Sequence, residues 1–368
     1  MIKPEIIICN RVGELENEIG FKSDDLILTE EFIYKKYLSS RVSNNNIIFV
    51  DRYGKGEPTD LIVLGILKEI EDYKINRIIA VGGGTVLDIA KIISLGNGGS
   101  LYDLFEKRIT PKKTKELYLI PTTCGTGSEV TNISILELTS KKTKMGLVSD
   151  ELFADKTILI PELLKGIPDK VFAASSIDAL VHASESYVSP KANDYTKMFS
   201  KQAISIIISG YKQYIKNNKT LTDELCMDFL LASNYAGIAF GNAGCGAVHA
   251  MSYPLGASYH VPHGESNYVF YTEVFKKYHD ISNSGALLEW ERHVSSVLGS
   301  YSSEMFEKLD ELLGKIMPKK KIYEYGVKSK ELEEFTEIVV TTQNRLLDNN
   351  FSYLSREDIY ELYRKLYE

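Results

Sequence analysis

The stretch RIIAVGGGTVLDIAKIISL, residues 77 to 95, constrains the fold more than any other, because an apolar run meets three glycines and passes without a break into a helical pattern. A strand that turns directly into a helix reaches its neighbours in a sheet by crossover, and the preceding residues supply those neighbours. DLILT at 25–29 is followed by a helical run, EEFIYKKYLSS, and NIIFVD at 46–51 reads as a second strand. Residues 58–73 then carry Leu61, Leu64, Ile66, Leu67 and Ile70 at helical spacing. Strand, helix and strand at these separations predict an α/β domain built on a parallel sheet.

Two loops of that domain have the composition of a ligand site. Gly82, Gly83, Gly84 and Thr85 open straight onto a helix, where glycine permits close backbone approach and the free amides of the first turn favour a diphosphate. The pattern is not GxGxxG, and a tight strand-to-helix connection would look the same. The second loop, Thr122-Thr123-Cys124-Gly125-Thr126-Gly127-Ser128-Glu129, follows the strand ELYLIP at 116–121. Small hydroxyl residues at the carboxyl end of such a strand can satisfy their own backbone or bind a ligand. Two such loops in one sheet favour a shared anionic ligand.

After PELLKGIP at 161–168 the strand signals fade, and Pro161 and Pro168 bracket an expected boundary between residues 1–168 and 169–368. Helices are expected near 170–188, 195–216, 222–240, 246–254, 265–279 and 285–298, with two or three more to the end. The last opens on Ser355 and Asp358 at capping-box spacing. Asp178 and His182 lie four apart on one helix face, beside Ile177, Leu180 and Val181. His249 is expected on a short helix, Gly246 to Tyr253, stopped by Pro254 and Gly256, and His263 just before a helix starting near Glu265. Each residue alone reads as well as a surface pair or a core histidine. Together, one carboxylate and three imidazoles suit Zn2+ or Fe2+ with a position left for a substrate oxygen.

The formal charge of -7 over 368 residues argues against nucleic acid or an anionic membrane as partner, and the basic runs at 141–144 and 318–321 read as solvated loops. The N-terminus lacks the pattern of a signal peptide, and no run approaches the roughly 20 apolar residues of a membrane span. Four separated cysteines read as reduced thiols of a cytoplasmic protein, with Cys245 as packing.

The segments SSIDALVHASESY, HAMSYPLG and PHG resemble the metal site of the iron-containing alcohol dehydrogenases, and GGGTVLD and PTTCGTGSE resemble that family's cofactor loops. The resemblance implies a Rossmann-like parallel sheet in an N-terminal dinucleotide-binding domain, then an all-α metal-binding domain, as in the dehydroquinate synthase-like architecture. It carries the metal ligands onto Asp178, His182, His249 and His263. It implies nicotinamide cofactor contacts by Gly82, Gly83, Gly84, Thr85, Thr122, Thr123 and Ser128, with Thr131 and Lys144 nearby and Asp88 in support. Glu30 stands where the family often has an aspartate on the adenosine ribose, which favours NAD, although an acid at a helix start is an equal reading. Tyr253 stands where the family usually has a further histidine. His260 is a candidate proton relay by its nearness to His263, or else polar surface.

Within the family, NRIIAVGGG, LIPTTCGTGSEVTN, SNYAGIAFGNAG and YHVPHGE resemble the members that interconvert 4-hydroxybutyrate and succinic semialdehyde. Such a substrate needs a cation or amide donors for its carboxylate. No arginine stands out near the metal motifs, leaving His260, Asn242 or a backbone nest. A glycerol dehydrogenase, a dehydroquinate-synthase-like lyase and a non-catalytic dinucleotide-binding module are the competing readings. A homodimer or higher homo-oligomer is the default for such an enzyme.

Overall fold

The computed structural model describes residues 4–42, 45–96, 100–141 and 143–368. The chain divides into two compact units, Met1–Gly166 and Ile167–Glu368.

In the first unit β1 (Glu5–Ile8), β2 (Asp25–Thr29), β3 (Asn46–Phe49), β4 (Arg77–Gly82), β5 (Glu116–Pro121) and β8 (Lys156–Leu159) form one parallel sheet, in the order β1-β8-β5-β4-β2-β3. A separate antiparallel hairpin joins β6 (Ile133–Leu138) to β7 (Thr143–Val148). The helices of this unit are α1 (Leu15–Ile19), α2 (Glu31–Ile33), α3 (Asp60–Glu69), α4 (Gly84–Ser94), α5 (Leu101–Phe105) and α6 (Pro161–Leu164). Alternate strand residues point to opposite faces. Leu26, Leu28, Ile78, Ala80, Leu117 and Leu119 join α3 and α4 in one core, while Ile27, Ile79, Val81, Ile120 and Ile158 join α1 and α6 in another. Burial on both faces is why these strands read as unbroken apolar runs.

At the amino ends of the central strands Arg77 is buried and forks onto Asp25, Nε to Oδ1 at 2.8 Å and Nη2 to Oδ2 at 2.7 Å. It also donates to the carbonyls of Ile19 and Gly20. At the opposite ends the chain leaves β2 for β3 on one side and returns to β4 on the other. Such a switch point opens a crevice at the carboxyl ends of the strands, and Glu30 and Gly83 follow the two strands that flank it.

Four strands, β1, β6, β7 and β8, were not expected from the sequence. β1 lies at the sheet edge with Ile6 and Ile8 exposed, so it shows neither alternation nor a buried run. β8 has four residues, and β7 takes up part of the basic run at 141–144, which is not wholly a solvated loop. The run at 318–321 departs similarly, since Lys319 is half-buried and donates to Thr272 Oγ1 at 3.0 Å.

The second unit is helical: α7 (Asp169–Val188), α8 (Asp194–Lys216), α9 (Asp223–Ala243), α10 (Ala247–Tyr259), α11 (His263–Ile281), α12 (Gly285–Leu298), α13 (Met305–Ile316), α14 (Glu331–Thr342), α15 (Asn344–Leu347) and α16 (Arg356–Tyr367). α7 is enclosed by α8, α9, α11 and α12 and is buried almost all round from Phe172 onward. Two boundaries differ from expectation. α10 continues through Pro254 to Tyr259, and the Tyr363 hydroxyl donates to the Met251 carbonyl at 2.6 Å in the turn before the proline. Packing against α11 and α14 outweighs the amide that proline lacks. α11 begins at His263 itself. Among the described residues no helix is long and apolar enough to cross a membrane.

Candidate metal and dinucleotide sites

Asp178, His182 and Glu185 share one face of α7, four and three residues apart, and all three are buried. A buried carboxylate is costly without partners, and neighbouring helices bring them. His249 comes from the first turn of α10 and His263 from the first residue of α11. One donor atom from each of Asp178, His182, His249 and His263 lies within 4.8 Å of the other three. His182 and His249 face each other Nε2 to Nε2 at 3.0 Å, and His182 stacks on Phe240 of α9 at 4.2 Å. Gly264 permits this convergence, because a Cβ there would stand 2.1 Å from the Ala174 carbonyl oxygen.

Glu185 fixes the tautomer of His249. Its Oε1 accepts from the Val248 amide at 2.7 Å and its Oε2 from His249 Nδ1 at 2.5 Å, so that Nε2 of that ring turns an acceptor inward. Asn267, one turn along α11 from His263, places Nδ2 2.7 Å from Asp178 Oδ1, 3.1 Å from His249 Nε2 and 3.2 Å from His263 Nε2. Its own Oδ1 is buried with no hydrogen-bond partner among the described residues. An amide nitrogen has two hydrogens, so it cannot serve all three of these atoms at once. Burial pushes the Asp178 carboxyl up, but His182, His263, His249 and the Asn267 amide outweigh it and hold it ionised, below its ordinary value. Burial pulls His249 down, and Cys245 and Glu185 more than reverse that. An ionised carboxylate with three converging imidazoles fits a divalent cation. Cys245 is more than packing, since it lies against His249, and burial pushes its thiol pKa up.

In the first unit, the two glycine-containing loops meet. Thr122 N donates to the Gly82 carbonyl at 3.0 Å, and a Cβ on Gly84 would stand 2.7 Å from Thr126 Cγ2. Gly83 is the N-cap of α4 and brings no side-chain cap, so the first-turn amides suit an anion. Thr122 is buried and Thr123 half-buried beside them. Thr85 Oγ1 donates to the Gly56 carbonyl at 2.9 Å, and Lys144 pairs with Glu57. Glu30 is half-buried after β2, and burial together with the Asp51 carboxylate pushes its pKa up.

Asp88, Ser128 and Thr131 surround a residue the sequence did not single out. Lys91 is fully buried and donates to Ser128 Oγ at 2.8 Å, Thr131 Oγ1 at 3.1 Å and the Ile133 carbonyl at 2.6 Å. Ser128 Oγ in turn donates to Asp88 Oδ1 at 2.6 Å, and Asp88 Oδ2 accepts from the Ile135 amide. These groups shape the second loop from behind. His260 is exposed and caps α10 in the left-handed conformation, φ 52°.

The family model described as iron-containing alcohol dehydrogenase matches residues 4–161, and that for the C-terminal part of the Fe-containing alcohol dehydrogenase family matches 172–367. The chain belongs to this family. As an iron-containing alcohol dehydrogenase it is an oxidoreductase acting on CH–OH groups. It is 50% identical over 366 residues to a 4-hydroxybutyrate dehydrogenase of Clostridium kluyveri, covering 100% of this chain and 99% of that one. It is 30% identical over 265 residues to an NAD-dependent methanol dehydrogenase of Bacillus methanolicus, 70% of this chain and 69% of the other. Its fold matches a sulfoacetaldehyde reductase of Bifidobacterium kashiwanohense solved with NAD+, with TM-score 0.87 at 21% identity, over 100% of this chain and 98% of that one.

Proposed function

We propose that the chain interconverts 4-hydroxybutyrate and succinic semialdehyde in the cytoplasm, using NAD and a divalent metal, as a homodimer or higher homo-oligomer. The observation that carries this is the convergence of Asp178, His182, His249 and His263 in a chain half identical, end to end, to a 4-hydroxybutyrate dehydrogenase.

Asp178, His182, His249 and His263 hold the cation in this reading, with Glu185 orienting His249 and Asn267 steadying Asp178. When bound, such a cation polarises an alcohol or carbonyl oxygen and lowers the alcohol's pKa. A bound nicotinamide would supply the hydride acceptor or donor. Gly82, Gly83, Gly84 and Thr85 receive the diphosphate at the start of α4, and Thr122, Thr123 and Ser128 line the neighbouring loop, with Thr131 and Lys144 nearby. Asp88 holds Ser128 in place. Glu30 takes the ribose hydroxyls and disfavours a 2'-phosphate, which supports NAD over NADP. His260 relays the proton to solvent.

The test follows absorbance at the NADH band with 4-hydroxybutyrate, succinic semialdehyde, simple alcohols and glycerol, alongside metal analysis of anaerobically purified protein. Turnover of 4-hydroxybutyrate that is lost on chelation is the expected result. Turnover confined to glycerol or simple alcohols defeats the substrate assignment. For the relay, His260→Gly keeps the left-handed cap that glycine favours, so slowed turnover at normal metal content isolates the imidazole. Unchanged turnover across the pH range removes the relay.

A further inference from the structure

We propose that Arg345 binds the carboxylate of the substrate and so selects an ω-hydroxy acid over an uncharged alcohol. The inference rests on the functional reading above and deepens it.

The single-turn helix α15 packs against α10, and the segment around it is pinned there. Asn349 Nδ2 donates to the carbonyls of Ala243 at 2.9 Å and Cys245 at 3.0 Å, while Ser189 Oγ donates to Asn349 Oδ1 at 3.1 Å. A Cβ on Gly246 would stand 2.8 Å from Asn350 Oδ1, so the glycine lets this segment approach the start of α10. Residues 344–350 are thereby fixed beside the turn that carries His249.

Tyr253 follows His249 by four residues and faces the same side of α10, its ring 6.1 Å from that of His263. His263 has the most exposed side chain of the four donors, at 32%, so this flank is the open one. Arg345 stands on α15, the helix that packs against the one carrying Tyr253. Arg345 is exposed and, among the described residues, has no ion pair or hydrogen bond of its own.

Other candidates are engaged elsewhere. Lys319 donates to Thr272 at 3.0 Å, Lys320 pairs with Glu265 at 3.2 Å and Lys276 with Glu273 at 2.7 Å. Asn242 donates to the Ile238 carbonyl of its own helix at 2.8 Å. An extended 4-hydroxybutyrate places its carboxyl carbon roughly 5 Å from its alcohol oxygen, four single bonds away, so its carboxylate lies outside the cluster of donors. A guanidinium offers the carboxylate a two-pronged, charge-assisted contact that an ammonium does not reproduce.

The test compares kcat and KM of the metal-loaded wild type, Arg345→Ala and Arg345→Lys for 4-hydroxybutyrate and for 1,4-butanediol, which replaces the carboxylate by a neutral hydroxymethyl group. In Arg345→Ala the ratio of kcat/KM for the acid to that for the diol should fall by about 10- to 100-fold, chiefly through KM, with metal content and melting temperature held. Arg345→Lys should recover part of the ratio, which a merely structural role would not produce. An unchanged ratio in both variants overturns the inference while leaving the functional reading intact. A wild type that oxidises the diol and ignores 4-hydroxybutyrate overturns both.

Discussion

Glu185 decides which nitrogen of His249 carries a proton, and that choice makes the ring a donor atom for a cation. Glu185→Gln keeps the shape but removes the charge from the acceptor of Nδ1–H. Zn2+ affinity measured by competition with a chelator should fall about 10- to 100-fold, with the fold retained. Equal affinity would mean that Glu185 serves only α10, through the Val248 amide. In the sequence the four donors stood out because histidine is scarce, six in the whole chain. Glu185 and Asn267 have the same helical spacing, three after His182 and four after His263, yet nothing separates them from the many other acids and amides. Lys91 was hidden differently: on α4 it reads as the polar face of an amphipathic helix, and it is buried because the loop at 128–131 and the start of β6 close over it.

At the scale of elements, His263 is placed by how closely α11 approaches α7. Gly264 sets that distance, since its missing Cβ would also lie 3.0 Å from Asp178 Cβ. Gly264→Ala forces the helices apart or rotates the first turn of α11, at a cost of about 1–3 kcal/mol. Thermal melting should report the loss, and metal content should fall with it even though no donor is replaced. Full metal occupancy in this variant would show that His263 tolerates the shift. The glycine was legible as part of PHG, but its reason was not, because a close approach of two helices 90 residues apart leaves no local pattern. The same limit hid the edge strand β1, and it led Pro254 to be read as a stop where tertiary packing carries α10 past it.

At the scale of the molecule, the alternation of strands and helices followed by helices alone was open to sequence reading, because two buried sheet faces leave unbroken apolar runs. The strand order, and with it the switch point beside Glu30 and Gly83, depends on non-local pairing that no single segment encodes. Stability of the whole chain should depend on the cation in the same non-local way. Chelation removes a ligand that binds only the folded chain, so the melting temperature should drop, and Zn2+ or Fe2+ added back should restore it with the logarithm of its concentration over Kd. No change on chelation would argue that the four donors hold no metal.

The response to acid should be carried in part by Glu273 on α11, which is tied to Lys276 and Lys365, each at 2.7 Å. Burial alone would raise its pKa, but the two lysines reverse this and hold it at about 2. The unfolded chain takes up that proton at about pH 4.3, so between there and pH 2 the unfolded state binds more protons than the folded one. The ion pairs therefore stabilise fully above about pH 4.3, and the contribution is lost as pH falls toward 2. With Lys365 largely exposed and screened, the effect is on the order of 1–2 kcal/mol. Glu273→Gln should be less stable than wild type to denaturant at pH 7, and the gap should close as the pH falls to about 2 and below, where the wild-type carboxyl takes up its proton. A gap that persists undiminished at that pH would assign the difference to packing rather than to charge.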